Sequence, residues 1–469
     1  MIIAFDQISG SIRKPGRYIE FNTRLAASGL PSGDRNLLLI GQKTDDGSKA
    51  VKIPVPVYSE SDAIAYFGAG SVAHLMVKAA LKANPYANIS VIAPAEAEGS
   101  AAAAGTITLT GPATSSGLLT VRIGNVTLEL AIASADTAAG IATALKALLD
   151  NNPALPVKAT KADGVVTLTA KNKGTLGNTI IVSAEVDAPG VTAVATALAG
   201  GLVDPDITDA LVAVRAMRYN RIVSSVNSST AAGKLKDHME LVSGPMEERP
   251  GIGIVAFIGD LDDGQTLAAN YTTTGRMFIA YNRGIKELSW EFAAKEGAVH
   301  ISESDPARPL NGLVLAGTDA PEISDRLTRT EQEACLASGL TPHEVDAAGN
   351  VTIVRAITTY TKNAAGVADI ALLDVTTVDT LDWLRDAAVN RMALRFPRAK
   401  MTAKDSVRTE LYSMLKDAEA LEIIQDVDAH ADELKVEPRE GTPGRLDCVI
   451  PAAVVPGLHV FAARIDLIL

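Results

Sequence analysis

The residues of this 469-residue chain that could carry chemistry are six histidines, two cysteines, two glycine-rich turns and one acidic run. His74, His238, His300, His343, His430 and His459 stand apart, and no two have metal-ligand spacing, so ordinary core or surface imidazoles are expected. Cys335 and Cys448 are too few and too distant for a disulfide framework or a zinc knuckle, and reduced thiols are expected. Gly251-Ile-Gly253-Ile-Val-Ala256 fits the loose dinucleotide pattern, in which the glycines follow a strand and open a helix whose N-terminus meets a pyrophosphate. Here they precede the apolar run 254–258, so the order is reversed and they read as turn glycines. Gly68-Ala-Gly70-Ser71 opens a helical stretch but lacks the lysine of a phosphate loop. Asp426, Asp428, Asp432 and Glu433 lack the spacing and central glycine of a calcium loop, and read as a solvated face. There is no nucleophile elbow and no Ser, His and Asp set in motif context. No catalytic, cofactor-binding or metal-binding residue is therefore expected.

The composition points the same way. Lys plus Arg is 43 and Asp plus Glu is 55, a net charge of −12, which argues against a nucleic-acid partner or an anionic membrane surface. Aromatic residues are only 4%, too few for base-stacking platforms. The chain is 47% hydrophobic, enough for real cores, yet no apolar run reaches the ~18 residues of a membrane span. The first ten residues carry Asp6 and no basic stretch, so no export leader is expected.

The elements divide the chain. Short apolar runs at 36–41 and 88–93 read as buried strands, with helices at 61–67 and 72–83 between them. From 99 to 134 the only charges are Arg122 and Glu129. Period-two segments at 106–110, 119–123 and 126–132, a helix at 136–150 capped by Asp136, and strands at 157–160, 165–170 and 179–184 predict an inserted β-sandwich over 99–200. Strand–helix alternation then returns: helices at 207–219, 231–242, 262–270 and 287–299 separate strands at 221–226, 253–258 and 277–281. This predicts an α/β fold, a mostly parallel sheet with helices on both faces, split by the insertion.

The last third reads as an α+β domain over 324–457. It has helices at 324–338, 379–395 and 404–424 and strands at 351–360 and 445–450. Leu381, Leu384, Ala388 and Met392 form one helical stripe, and Thr402 with Asp405 resembles a capping box. The expected plan is an arm at 1–20, a core at 21–98 and 201–323 interrupted by 99–200, the domain 324–457, and a strand arm at 458–469.

Both termini are strand-prone. Ile2, Ile3, Phe5 and Ile8 open the chain, and Leu458, Val460, Phe461, Ile465, Leu467 and Leu469 close it after the breaker Pro456-Gly457. Each end could pair within its own domain. Left unpaired, such strands are sticky edges, and strand addition to a neighbouring subunit is the sharper reading.

An ordered series of segments carries a resemblance. Ile8-Ser-Gly-Ser-Ile-Arg-Lys-Pro-Gly-Arg-Tyr-Ile-Glu-Phe21 comes first, and Lys171-Asn-Lys-Gly-Thr-Leu-Gly-Asn178 lies in the insertion. Ser302-Glu-Ser-Asp-Pro-Ala-Arg-Pro-Leu310 and Leu313-Val-Leu-Ala-Gly-Thr-Asp-Ala-Pro321 follow, then Asp325-Arg-Leu-Thr-Arg-Thr-Glu331 and Gly349-Asn-Val-Thr-Ile-Val-Arg355. Asp374-Val-Thr-Thr-Val-Asp-Thr-Leu-Asp-Trp-Leu-Arg385 and Phe396-Pro-Arg-Ala-Lys400 complete it. The series resembles the contractile tail sheath proteins of Mu-like phages and related contractile particles. The resemblance implies a non-enzymatic virion tail protein, assembled in a host cytoplasm. Its partners would be copies of itself in stacked hexameric rings, an inner tail tube, and baseplate and tail terminator proteins. It implies terminal arms that complete a neighbour's β-sheet, and it suggests Arg408, Lys416 and Glu419 as a tube contact. The alternatives are an adhesion protein centred on the β-sandwich and, behind it, an α/β hydrolase.

Overall fold

The computed structural model describes Lys14, Arg17, Leu30, residues 35–398, 400 and 401, and residues 404–468. Their contacts form two compact units. One holds residues 35–379 and 456–468; the other holds 380–455 with the described residues before 34.

The larger unit opens with β1 (Asn36–Ile40), β2 (Val55–Val57), α1 (Glu60–Phe67), α2 (Val72–Ala83) and β3 (Asn88–Ile92). Four of the five residues of β1 are aliphatic and buried, as a strand covered on both faces requires. Ser59 and Ser71 cap the two helices by accepting from the amides of Asp62 and His74. An all-β stretch with one helix follows: β4 (Ala104–Leu109), β5 (Gly117–Ile123), β6 (Val126–Ile132), α3 (Ala138–Asp150), β7 (Val157–Ala162), β8 (Val165–Ala170), β9 (Val182–Asp187) and β10 (Ala193–Ala195). It makes two antiparallel sheets, ordered β10-β4-β8-β7 and β6-β5-β9. Alternate residues, such as Leu119, Val121 and Ile123 of β5, are buried. The cap of α3 is Thr137, which accepts from the Gly140 amide, and not Asp136. Asp136 instead accepts from the Ala133 amide at 2.7 Å and closes the preceding turn.

The unit continues with α4 (Thr208–Val214), β11 (Arg221–Ser224), α5 (Ser229–Val242), β12 (Ile252–Ile258), α6 (Leu261–Ala268), β13 (Met277–Asn282), α7 (Ser289–His300), α8 (Arg329–Ser338), β14 (Thr341–Val345) and β15 (Val351–Ile353). One eight-stranded sheet results, ordered β15-β14-β13-β12-β11-β1-β3-β2. It is parallel except for its two edge strands. Helices cover both faces. A Cβ on Gly297 of α7 would meet Val223 and Leu37, whereas one on Gly253, paired with the oppositely facing Ile222, would meet Leu235 of α5.

Three expectations need correction. The C-terminal domain does not begin at 324, because β14 extends the parallel sheet beside β13 and keeps residues up to 379 in the larger unit. The predicted strand 351–360 is only Val351–Ile353, since Ile357 and Thr359 bond instead to the Thr341 side chain and the Met277 carbonyl. The helix expected over 207–219 ends at Val214.

The division between the units falls within α9 (Val375–Arg395). The smaller unit adds α10 (Lys404–Ala420), β16 (Ile424–Gln425), β17 (Lys435–Pro438), β18 (Leu446–Val449) and β19 (Ala453–Val454). Its core joins Leu384 and Ala387 to Val407, Leu411, Met414, Leu415 and Ala418 of α10. Leu381, expected on the α9 stripe, is 38% exposed. The expected capping residue Thr402 lies outside the described residues.

Candidate assembly surface

The described part of the last segment forms no strand and, beyond 459, no hydrogen bond to the rest of the chain among the described residues. It leaves the fold beside Pro309, which a Cβ on Gly457 would meet at 2.6 Å, and His459 sits 3.5 Å from Asp374. From there Val460, Phe461, Ile465, Leu467 and Ile468 are all more than three-quarters exposed. The one side-chain bond is internal, Arg464 to Asp466 at 2.7 Å. In a pleated conformation Phe461, Ala463, Ile465 and Leu467 share one face and Arg464 and Asp466 the other. Five large apolar side chains of this segment thus have no covering partner among the described residues.

The smaller unit holds an edge of matching kind. β17 and β18 pair antiparallel over four residues, and β18 has no second neighbour among the described residues. Cys448, Val449 and Ile450 at its end are exposed. Leu458, Val460, Phe461, Ile465 and Leu467 thus lie on an uncovered segment. Ile2, Ile3, Phe5, Ile8 and Leu469 lie outside the described residues.

Arg408, Lys416 and Glu419 all sit on α10 and hold one loop of their own unit. Arg408 donates to the carbonyls of Leu434 at 3.1 Å and Ala431 at 2.9 Å. Glu419 accepts from the Val427 amide at 2.9 Å and pairs with Lys416, which also reaches Asp428 at 3.3 Å. Asp428 also accepts from the Tyr412 hydroxyl. Among the described residues no group of three or more His, Cys, Asp or Glu could hold a metal.

The polar groups that do converge are sealed inside the larger unit, around α7. His343 of β14 pairs with Glu296, and its other ring nitrogen lies 3.1 Å from the Tyr281 carbonyl. Both ring nitrogens face acceptors. His300 Nε2 lies 3.4 Å from Glu296, outside hydrogen-bond geometry, and its Nδ1 accepts from Arg221 at 3.3 Å. Arg221 continues to Asp379 at 2.6 Å, which Arg35 also meets at 3.0 Å. Burial alone would raise the Glu296 carboxyl, but His343 and His300 hold it down to about 2. Lys295 pairs with Glu287 and donates to the Gly317 carbonyl at 2.8 Å and the Thr318 hydroxyl at 3.0 Å. Sequence reading missed this set because its members are dispersed, and the six histidines contribute only two to it.

Glu291 accepts from the Asn125 side chain at 3.3 Å. Burial, with Glu287 nearby, pushes its carboxyl up to about 8. The folded form therefore keeps a proton that the unfolded chain releases near pH 4.5, and stability falls as pH rises from there to about 8. Glu291→Gln is expected to raise the melting temperature at pH 8 and leave it nearly unchanged at pH 4, as calorimetry at the two pH values would show.

The assembly-surface geometry stands beside two family matches. Residues 200–359 match the phage tail sheath protein central domain and residues 367–468 the phage tail sheath C-terminal domain, so that together they span more than half of the chain. This chain belongs to the phage tail sheath family. Over the full length of both chains it is 29% identical to the Mu-like prophage FluMu tail sheath protein of Haemophilus influenzae. The sheath tail protein of Desulfitobacterium hafniense shares the fold, with a TM-score of 0.50 at 13% identity over 94% of this chain and 100% of that one. A chain of the anti-feeding prophage baseplate, six-fold symmetrised, has a TM-score of 0.51 at 10% identity, covering 98% and 100%. The family's role is structural. The C-terminal match runs to 468, so the uncovered segment is part of the sheath domain itself.

Proposed function

We propose that this sheath subunit polymerises in six-membered rings stacked helically around an inner tube. It then contracts to drive that tube through a target cell envelope. The observation that carries the reading is the uncovered apolar segment 458–468, in which Val460, Phe461, Ile465, Leu467 and Ile468 lie exposed within nine residues. Its receiving edge is β18 of a neighbour, where an added strand would bond to free backbone groups and cover Val449 and Ile450. Residues 1–20 are the second arm. Because the contact joins unlike surfaces, repeating it gives a ring or an open helix. Contraction moves subunits as nearly rigid bodies while the arms keep the lattice connected, and new contacts between subunits supply the energy without nucleotide. The inserted β module faces outward, since inward it would obstruct the tube. The solvent face of α10, near Arg408, Lys416 and Glu419, is the candidate surface toward the tube. Baseplate and tail terminator proteins bound the polymer, which assembles in the host cytoplasm. Negative-stain imaging of the recombinant chain at high concentration tests the reading: tubes or ring stacks are expected, and a persistently monomeric particle overturns it.

A further inference from the structure

In doubly wound sheets, ligands are held outside the carboxyl ends of the strands where strand order reverses, often at a helix N-terminus. Here the chain steps from β1 to β3 on one side and resumes at β11 on the other, so the reversal falls at β1. The chain leaves β1 through Gly41, Gln42 and Lys43, and α2 begins against it. The Ala73 amide donates to the Gln42 carbonyl at 2.9 Å, and a Cβ on Gly41 would lie 3.0 Å from the Ala73 Cα.

That crevice is already filled. Lys171, Asn172 and Lys173, which follow β8 of the inserted module, lie in it. The Asn172 side-chain oxygen accepts from the Val72 amide, the first of α2, at 2.9 Å. Its amide nitrogen donates to the Lys43 carbonyl at 2.9 Å. Gln42 donates to the Lys173 carbonyl at 2.8 Å. Lys171 Nζ donates to the carbonyls of Ala69 at 3.0 Å and Pro153 at 2.6 Å. Asn172 is 8% exposed, and burial lowers the Lys171 ammonium below its usual range. One side chain thus satisfies an orphan donor of a helix start and a strand-end carbonyl.

We propose that Lys171–Lys173 is a built-in ligand of the α/β core, and that the crevice serves to hold the inserted module in one orientation. Elsewhere across the joint, the Thr175 amide and hydroxyl donate to Asp204, both at 2.6 Å. Asn125 meets Glu291, and a cleft of about 170 Å³ lies between module and core, walled by Leu75, Ala79, Ile123, Leu155 and Leu288. The polar plug is the part of the joint that reaches the start of α2. It is independent of assembly, so its test uses the unassembled full chain.

Asn172→Ala leaves the Val72 amide and the Lys43 carbonyl without partners. Losing one such buried bond is expected to speed amide exchange of residues 72–76 about tenfold or more, with β12 and β13 unchanged. Protease sensitivity at 99–101 and 199–202 should rise with it. Asn172→Asp keeps the acceptor and should restore protection at the start of α2. If Asn172→Ala exchanges and resists protease like the parent, or if Asn172→Asp is no better than Ala at α2, the proposal fails. Should Asn172→Ala not fold, Lys171→Met is read by the same protease criterion. A rise in the parent's melting temperature on adding inorganic phosphate or ATP, lost in Asn172→Ala, would mark an open ligand site and also overturn it.

Discussion

Deleting residues 458–469 should convert a polymerising protein into a stable, folded monomer. The deleted side chains add almost nothing to the fold of the single chain, because Val460, Phe461, Ile465, Leu467 and Ile468 face solvent. Asp374 loses His459 at 3.5 Å but keeps Arg355 at 2.8 and 2.9 Å. The melting temperature of the monomer should therefore stay within a degree or two. The loss to assembly is of another order. Burying the three on one face, Phe461, Ile465 and Leu467, is worth roughly 1.5–3 kcal/mol each before ordering costs, so the gross loss per contact is about 5–9 kcal/mol. Sedimentation velocity should show monomer at concentrations where the parent forms tubes. Tubes that survive the deletion would remove the arm from the mechanism. Ile465→Asp, on the apolar face, should approach the full deletion, while Arg464→Ala should have little effect.

The second large effect lies in the core. Glu296→Ala should destabilise the monomer by about 3–5 kcal/mol, the usual cost of removing one member of a buried ion pair. His343 and His300 would be left facing each other across a cavity, with Phe292 and Phe278 packed edge-on against them. The pH dependence has a definite sign. Glu296 is held at about 2 against an ordinary 4.5, so its contribution is complete above about pH 4.5 and is lost as pH falls toward 2. Asp379, which burial would raise but Arg221 and Arg35 hold at about 2, loses its contribution over a similar window. Acid unfolding of the parent should begin below pH 4.5 and be much shallower in the variant, a comparison that denaturant titration at pH 3 and pH 6 would make. Equal slopes would remove Glu296 from the account.

The sequence made the alternating strands and amphipathic helices legible. The aliphatic run of β1, the period-two segments of the insertion and the helix 72–83 all lie close to where periodicity puts them. β14 was hidden because Pro342 reads as a breaker, yet its pairing with β13 needs only Thr341 and Pro342 opposite Ala280 and Tyr281. The burial of α7 was hidden too. Glu291, Lys295, Glu296 and His300 are polar, and their partners Asn125, Thr318, His343 and Arg221 lie far off in sequence. The apolar character of the C-terminal segment was legible after the Pro-Gly breaker, but its exposure was not, since such a segment could equally pair within its own domain. Asn172 gave no local signal, since an asparagine after a strand is an ordinary turn residue.

If the C-terminal segment adds to a neighbour as a strand, its residue parity bears on how faithfully copies can join. Phe461, Ala463, Ile465, Leu467 and Leu469 fall on one parity and Arg464 and Asp466 on the other. A slip of one residue against a receiving strand would bury the two charges and return Phe461 and Ile465 to water. Neighbouring positions are thus separated by a large penalty rather than a graded one. With such an added strand, the spacing from copy to copy would be quantised rather than continuous.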